Sequence, residues 1–348
     1  MKIGVIPENM LERVARASGA VPRPMLDTLV AMLLARTIMA ATKLGVFEAL
    51  ACGPLPAHKV AAHCGTDPRA TEKLLTALAG CGYVRAEHGQ YALAPVARKW
   101  LLTDSPQSLR DKMLGQFTEW EWIAGYKEFV GSGTPLDIHQ GMSDDEWGLY
   151  QRSMRALASS SASEVARQTP VPKGARDMLD IGGSHGYYSA AICRRHPGLR
   201  AVILDLPQAV KHAAPILARE GMGDRVTHRA DNALTDELGT QAWDLVFIAN
   251  LVHHFDEQAN RDLVRRIARA LRPGGILVIQ DFIRVQQPGE GGQIGALNEL
   301  YFALTSQSGT WSLAEIAGWQ QEAGLVPRKP RRLLTLPGAA QQAAGKEA

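Results

Sequence analysis

Residues 177–189 leave this chain few folds to choose from. Met178, Leu179 and Ile181 belong to a short, mostly apolar run of the kind a buried strand requires. Gly182, Gly183 and Gly186 then permit a tight turn, and residues 187–195 can continue as a helix. A strand, a glycine turn and a helix N-terminus bring backbone N–H groups close to a ligand. A second apolar run over 201–204 ends at Asp205, where a carboxylate in a βαβ unit is placed to accept hydrogen bonds from ribose hydroxyls. Taken alone, the glycine turn also suits an ordinary loop, so the later segments decide its meaning.

Those segments alternate. A helix over 207–220 is broken by Gly221 and Gly223, and strands are expected over 226–229, 244–249 and 276–279, with a helix over 257–271. Strands alternating with helices predict an α/β fold with a Rossmann-like, doubly wound parallel sheet. Asp231 and Asn232 follow the third strand, Asn250 and His253 the fourth, and Asp281 the fifth. A single loop acid is ordinarily solvated; several, each after its own strand, favour a ligand. The tail beyond Pro337, rich in Ala, Gln and Gly, reads as frayed.

Ahead of this region, residues 1–24 carry no regular pattern. Over 25–44, Leu26, Leu29, Leu33, Ile38 and Ala41 fall at helical spacing, and Gly45 is a natural C-cap. A shorter helix over 57–64 stops at Gly65, and Asp67 followed by Pro68 opens the next. Apolar runs on either side of His88 and Gly89 read as a hairpin. Helices followed by a β-wing predict a winged helix over 1–105. Such a module can read DNA, but its recognition helix over 68–80 has only Arg69 and Lys73 as cations, too few for phosphate-dominated binding. A packing role is the better reading.

Residues 106–170 form a mainly helical connector, unusually rich in aromatic residues, with Phe117, Trp120, Tyr150 and Met154 among its large side chains. Two readings stand: an inter-domain core, or an apolar wall for a flat substrate. Residues 171–348 then make the α/β domain. A length of 348 residues fits more than one core, and a formal charge of +3 is too slight to argue for nucleic acid or an anionic membrane. Asp27, Arg36 and Lys43 interrupt the apolar stretch over 25–44, which argues against a membrane span, and the start of the chain lacks the apolar core of a signal peptide. Cys52, Cys64, Cys81 and Cys193 are widely spaced and read as reduced thiols in a cytoplasmic protein, with no zinc site or disulfide framework.

Two cofactor classes use a strand–glycine turn–helix. Against the dinucleotide template G-x-G-x-x-G, Ser184 and Tyr187 stand where the second and third glycines belong, a poor fit. The run instead resembles the first motif of class I S-adenosylmethionine (SAM)-dependent methyltransferases, acid-x-Gly-x-Gly-x-Gly. Asp180, Gly182 and Gly186 match it, and Ser184 replaces the middle glycine. Residues 43–47 and 89–93 resemble the N-terminal dimerisation domain of plant and bacterial small-molecule O-methyltransferases. The resemblance covers about residues 30–335 and implies SAM as cofactor, a homodimer, a small-molecule acceptor and no metal. It gives the cofactor Asp180, Gly182, Gly183 and Gly186 at the turn, Asp205 with Leu206 at the ribose, Asp231 with Asn232 at the adenine amine, and Asn250. It gives the acceptor Phe117, Trp120, His254 and Asn298, together with Tyr150 and Met154, which match a family Phe-x-x-x-Met run.

The family's His-Asp-Trp run corresponds to His253, His254 and Phe255, which puts His253 at the position of the catalytic base. Asp281 takes the place of the first of two carboxylates that orient that histidine, and Thr310 replaces the second. A phenol has an unperturbed pKa of about 10, so a positioned base is useful at neutral pH. The expectation is O-methylation of an aromatic or polyketide-like hydroxyl. N- or C-methyl transfer, or a SAM-binding dimer without catalysis, are the alternatives.

Overall fold

Capping residues set the helix boundaries of the first part of the chain. The computed structural model describes residues 3–139, 141–287 and 292–347. These fall into two compact units, divided between Phe117 and Thr118. In the first, the Asn9 side chain accepts a hydrogen bond from Glu12 N and opens a helix, Met10–Ala17, that the sequence pattern did not reveal. Helical structure from Arg23 to Leu44, with one π-type turn at Leu26–Val30, ends at Gly45 in the left-handed region (φ 79°). Helices Ala57–Cys64 and Pro68–Gly80 lie where capping predicts, the latter opened by Asp67 Oδ1 accepting from Ala70 N at 2.8 Å.

Strands β1 (Val84–Glu87) and β2 (Gln90–Leu93) form the antiparallel wing. His88 and Gly89 both have positive φ, as a two-residue hairpin loop needs. Phe47, Leu50, Val60, Leu75, Leu78 and Val84 build the core of this unit. On the long helix, by contrast, Leu29, Met32, Leu33 and Leu34 are 40–55% exposed. That helix is long and apolar enough to cross a membrane by length and composition, and only 17% of its most apolar window is buried within the chain.

The second unit opens with helices, among them Asp144–Ser159 and Ala162–Gln168, and continues into the sheet. Its strands are β3 (Asp177–Ile181), β4 (Arg200–Asp205), β5 (Val226–Ala230), β6 (Trp243–Ala249), β7 (Leu271–Phe282), β8 (Val326–Pro327), β9 (Arg331–Arg332) and β10 (Ala339–Gly345). The order is β5-β4-β3-β6-β7-β10-β8, with β9 also on β10. β3 to β7 are parallel, and β10 runs antiparallel to β7. Successive residues of each strand enter opposite cores. Met178, Ile203, Phe247 and Val278 pack on the side of helix Tyr187–Arg195, and Leu179, Leu204, Ile248 and Ile279 on the side of helices Glu257–Ala270 and Leu313–Glu322. Both faces are covered, as a doubly wound sheet requires.

The tail corrects the sequence reading. Ala339–Gly345 is not frayed but is a wholly buried strand paired along β7. Its glutamine amides donate inside: Gln341 Nε2 to Thr169 Oγ1 (3.0 Å) and Gln280 Oε1 (3.1 Å), and Gln342 Nε2 to Arg328 O (2.9 Å). The strand order reverses between β3 and β6, and at such a switch point the loops beyond the C-terminal strand ends open a crevice.

Candidate active site

At the end of β3 the chain turns through Gly182 (φ 67°), Ser184 (φ 51°) and Gly186 (φ 71°) into helix Tyr187–Arg195. No side chain fits at the three glycines. A Cβ on Gly182 would lie 2.7 Å from Leu251, one on Gly186 2.5 Å from Ile203, and one on Gly183 would overlap the Asp180 carboxyl group. Asp180 is buried beneath the turn and accepts from Ser189 Oγ at 2.6 Å. Desolvation pushes its carboxyl up to about 7, against the Ser189 hydrogen bond and with the help of nearby Asp205. Asp180 Oδ1 has no partner among the described residues.

Asp205 closes the turn from the next strand. Its Oδ2 accepts from Ser184 N and its Oδ1 from Leu206 N, both at 2.8 Å, and burial raises its carboxyl above the ordinary range. Asp231 N donates to Asp205 O at 3.0 Å, so the two acidic positions adjoin. The Asp231 carboxylate pairs with Arg229 at 2.6 Å. Asn232 spends its side-chain oxygen locally, accepting from Leu234 N at 2.9 Å within a turn. Asn250, in the left-handed region (φ 53°), donates its backbone N–H to Gln280 O and holds a buried Oδ1 without a partner among the described residues. The Asp205 carboxylate and the oxygens of Asp180 and Asn250, which have no partner among the described residues, thus gather on adjacent strand ends, an acceptor set suited to a polar cofactor.

His253 stands in a short 3₁₀ turn, Val252–His254, just past β6. Asn260 Nδ2 (2.9 Å) and Trp311 Nε1 (3.0 Å) both donate to Val252 O and fix that turn. His253 Nδ1 lies 2.8 Å from Asp281 Oδ1, with the residues 2% and 1% exposed. Phe282 N donates to the same oxygen at 2.8 Å. Asp281 Oδ2 and Thr310 Oγ1 are buried without partners among the described residues.

Rings surround His253. The His253 centroid is 4.2 Å from that of His254 and 4.6 Å from Phe302, and His139 meets His254 edge-on at 4.9 Å while stacking on Trp147 at 5.6 Å. Tyr150 is edge-on to His139 at 5.5 Å. Burial, then the neighbouring His253 and His139, holds His254 well below the ordinary imidazole range. Burial, with Glu119 nearby, pushes the Tyr150 and Tyr301 phenols far up, so both stay protonated.

Of the acceptor residues expected from sequence, the structure brings Tyr150 and His254 to this cluster. Met154 is half-buried on the same helix as Tyr150, Trp120 half-buried on helix Arg110–Ala124, and Asn298 half-buried on helix Gly292–Thr305. Phe117 lies in the first unit, its ring under the Arg36 guanidinium (4.9 Å) and the Lys43 ammonium (4.6 Å). His139, Tyr301 and Phe302 escaped the sequence reading. Each is a lone residue without a motif, brought in by a loop or helix that no local pattern ties to the sheet.

Residues 109–325 match the family model of the O-methyltransferase domain, and residues 25–104 that of the O-methyltransferase dimerisation domain. The chain is 26% identical over 324 residues to a 3-hydroxy-5-methyl-1-naphthoate 3-O-methyltransferase of Streptomyces sahachiroi, covering 90% of this chain and 92% of that protein. It is 28% identical over 313 residues to an L-tyrosine C(3)-methyltransferase of Streptomyces lavendulae, covering 84% of each. Among solved structures, human N-acetylserotonin methyltransferase in complex with SAM superimposes with a TM-score of 0.83 at 19% identity, over 98% of this chain and 99% of that one. With residues 109–325 and 25–104 matched by these two models, the chain belongs to the O-methyltransferase family.

Proposed function

We propose that the chain is a SAM-dependent O-methyltransferase acting on a hydroxyl of an aromatic or polyketide-like small molecule, with His253 as general base. The observation that carries this reading is the 2.8 Å contact of His253 Nδ1 with Asp281 Oδ1. An ionised carboxylate only accepts, so Nδ1 keeps its proton and Nε2 is left to take one from the acceptor hydroxyl. The Asp281 carboxylate keeps its hydrogen bond to Nδ1 and so holds the ring in place while the proton moves. Trp147, Tyr150 and Phe302 offer the flat, water-excluding walls an aromatic acceptor needs.

SAM, when bound, supplies a methyl group already activated on a sulfonium centre. Asp205 would hold its ribose and Asp231 its adenine amine, with Leu206 and Asn232 beside them. Asp180, Asn250 and the backbone of Gly182, Gly183 and Gly186 would take the remaining polar groups. The unpartnered oxygens of Asn250 and Asp180 support that fit. Leu251 packs on Gly182, which links the cofactor turn to the histidine two residues on.

The exposed apolar helix within 23–44, covered by the match to a dimerisation domain, supports a homodimer formed through residues 1–105, with 106–170 contributing to the acceptor pocket of the 171–348 catalytic domain. Sedimentation should give twice the mass of the 37.7 kDa chain. The free cysteines fit a cytoplasmic location.

One feature favours N- or C-methyl transfer as a second reading. Among the described residues one carboxylate hydrogen-bonds His253 and the Thr310 hydroxyl has no partner, so the surroundings also suit an acceptor with less need of a base. Incubation with SAM and matched phenol, amine and ring-carbon acceptors decides, read by product mass and methyl chemical shift. Methylated oxygen supports the main reading, methylated nitrogen or carbon the second. Binding of SAM with no transfer to any acceptor would leave a SAM-binding dimer without catalysis.

A further inference from the structure

Ser184 stands at the middle of the cofactor turn, where the family motif has a glycine, and its φ of 51° lies in the left-handed region. Glycine adopts that conformation freely, whereas a residue with a Cβ keeps it only when its surroundings fix it. Three partners do so. Ser184 N donates to Asp205 Oδ2 at 2.8 Å, Ser184 O accepts from His228 Nε2 at 2.8 Å, and Ser184 Oγ donates to Gln151 Oε1. A carbonyl oxygen only accepts, so His228 carries its proton on Nε2. His228 comes from β5, and Gln151, 1% exposed, from helix Asp144–Ser159, beside Tyr150. Gly148, Gln151 and Arg155 share one face of that helix at three- and four-residue spacing. A Cβ on Gly148 would lie 3.2 Å from His212 Nδ1, and the Arg155 guanidinium lies 4.1 Å from the Tyr187 ring centroid, the first ring after the turn. Contacts on either side of Gln151 therefore hold it against Ser184.

We infer that Gln151 and His228 are positioning residues for SAM: they hold Ser184 in the left-handed conformation that aims its N–H at Asp205, and through it they set the carboxylate that takes the ribose. Without them the serine relaxes toward negative φ, its N–H leaves Asp205, and the carboxylate keeps only the Leu206 N–H as a backbone donor. A glycine at position 184 holds the same conformation unaided, so the need for Gln151 is tied to the serine. This inference rests on the cofactor reading of the turn and adds what a serine there requires.

Calorimetry of S-adenosylhomocysteine binding to the full chain tests it without any acceptor. Gln151→Met keeps the length of the side chain and loses the hydrogen bond, and binding should weaken about fivefold, the factor for one net hydrogen bond. On a Ser184→Gly background the same change should alter affinity by less than about twofold, the spread expected of uncoupled sites. A purely structural helix contact would lower the melting temperature in both backgrounds and change affinity by the same factor in each. His228→Leu should weaken binding as Gln151→Met does, whereas His228→Gln, whose amide still donates to Ser184 O, should retain it. This second pair decides if Gln151→Met does not fold. An effect of Gln151→Met that is equal in both backgrounds, or wild-type affinity in either Gln151→Met or His228→Leu, overturns the inference and leaves the cofactor reading standing. No binding by the wild type overturns both.

Discussion

His253 and Asp281 are 28 positions apart and share a 2.8 Å hydrogen bond between almost wholly buried side chains. The sheet explains this. β6 and β7 are adjacent and parallel, with Ile248 beside Ile279, so residues just past Ile248 and Ile279 are neighbours in space. Asp281→Asn keeps the shape but can present an amide donor to Nδ1, which favours the tautomer whose proton blocks Nε2. Methyl transfer should fall about tenfold or more, within the range that general-base catalysis contributes. SAM affinity, measured by calorimetry, should not change. A variant as fast as the wild type would show that the pair is structural.

Asp205 is held half-buried by two backbone N–H groups, and its carbonyl receives Asp231 N. A carboxylate bond to a ribose hydroxyl is charge-assisted and contributes roughly 1.5–3 kcal/mol. Calorimetry on Asp205→Ala should therefore show SAM binding weaker by about tenfold or more. Unchanged affinity would remove Asp205 from the cofactor site.

Gly183 has no room for a methyl group, because the Asp180 carboxyl group occupies the space and is itself fixed by Ser189. Gly183→Ala should cost about 1–3 kcal/mol, the range for overpacking a buried site. Gly198, where an added Cβ meets nothing within 4 Å, is the control, and Gly198→Ala should melt close to the wild type. Equal melting temperatures for the two variants would contradict the packing argument.

Burial should make stability fall with pH on the acid side. His185 is pushed down to about 3, by desolvation first and then by Arg155 and His228, and it uses Nδ1 to accept from Tyr187 N. Its unfolded value is about 6.5, so between the two the unfolded chain binds more protons. The contribution is complete above about 6.5 and is lost as pH falls below it. Asp180, raised to about 7, acts in the opposite sense over part of that window. His185→Asn keeps an acceptor for Tyr187 and leaves Asp180 in place, so the difference between variant and wild type isolates the histidine. The variant's melting temperature should drop less between pH 7.5 and 5; an equal drop would show that His185 titrates normally.

Much of this was legible because the signals are local. Gly45, Gly65 and Asp67 end or open helices through their own caps, and the run from Asp177 to Ile181 announces a strand by composition. Asp205 and His253 were placed by counting strands, since the sheet puts each strand's C-terminal end on one edge. The rest depended on partners far away in sequence. Ala339–Gly345 looks like a solvent-loving tail until Gln280, Thr169 and Arg328 are seen to accept hydrogen bonds from its glutamine amides. His139 sits in a loop without a motif, and only its stacking on Trp147 and contact with His254 give it a role.

The central claim is that His253 takes the acceptor's proton. Its most direct test is single-turnover methyl transfer to an accepted phenol by His253→Ala and His254→Ala, with SAM affinity measured on both. His253→Ala should lower the rate by about 10²–10⁴-fold with SAM binding nearly intact, and His254→Ala should lower it far less. A reversed ranking would move the base to His254. Wild-type rates in both variants would contradict general-base catalysis at this site altogether.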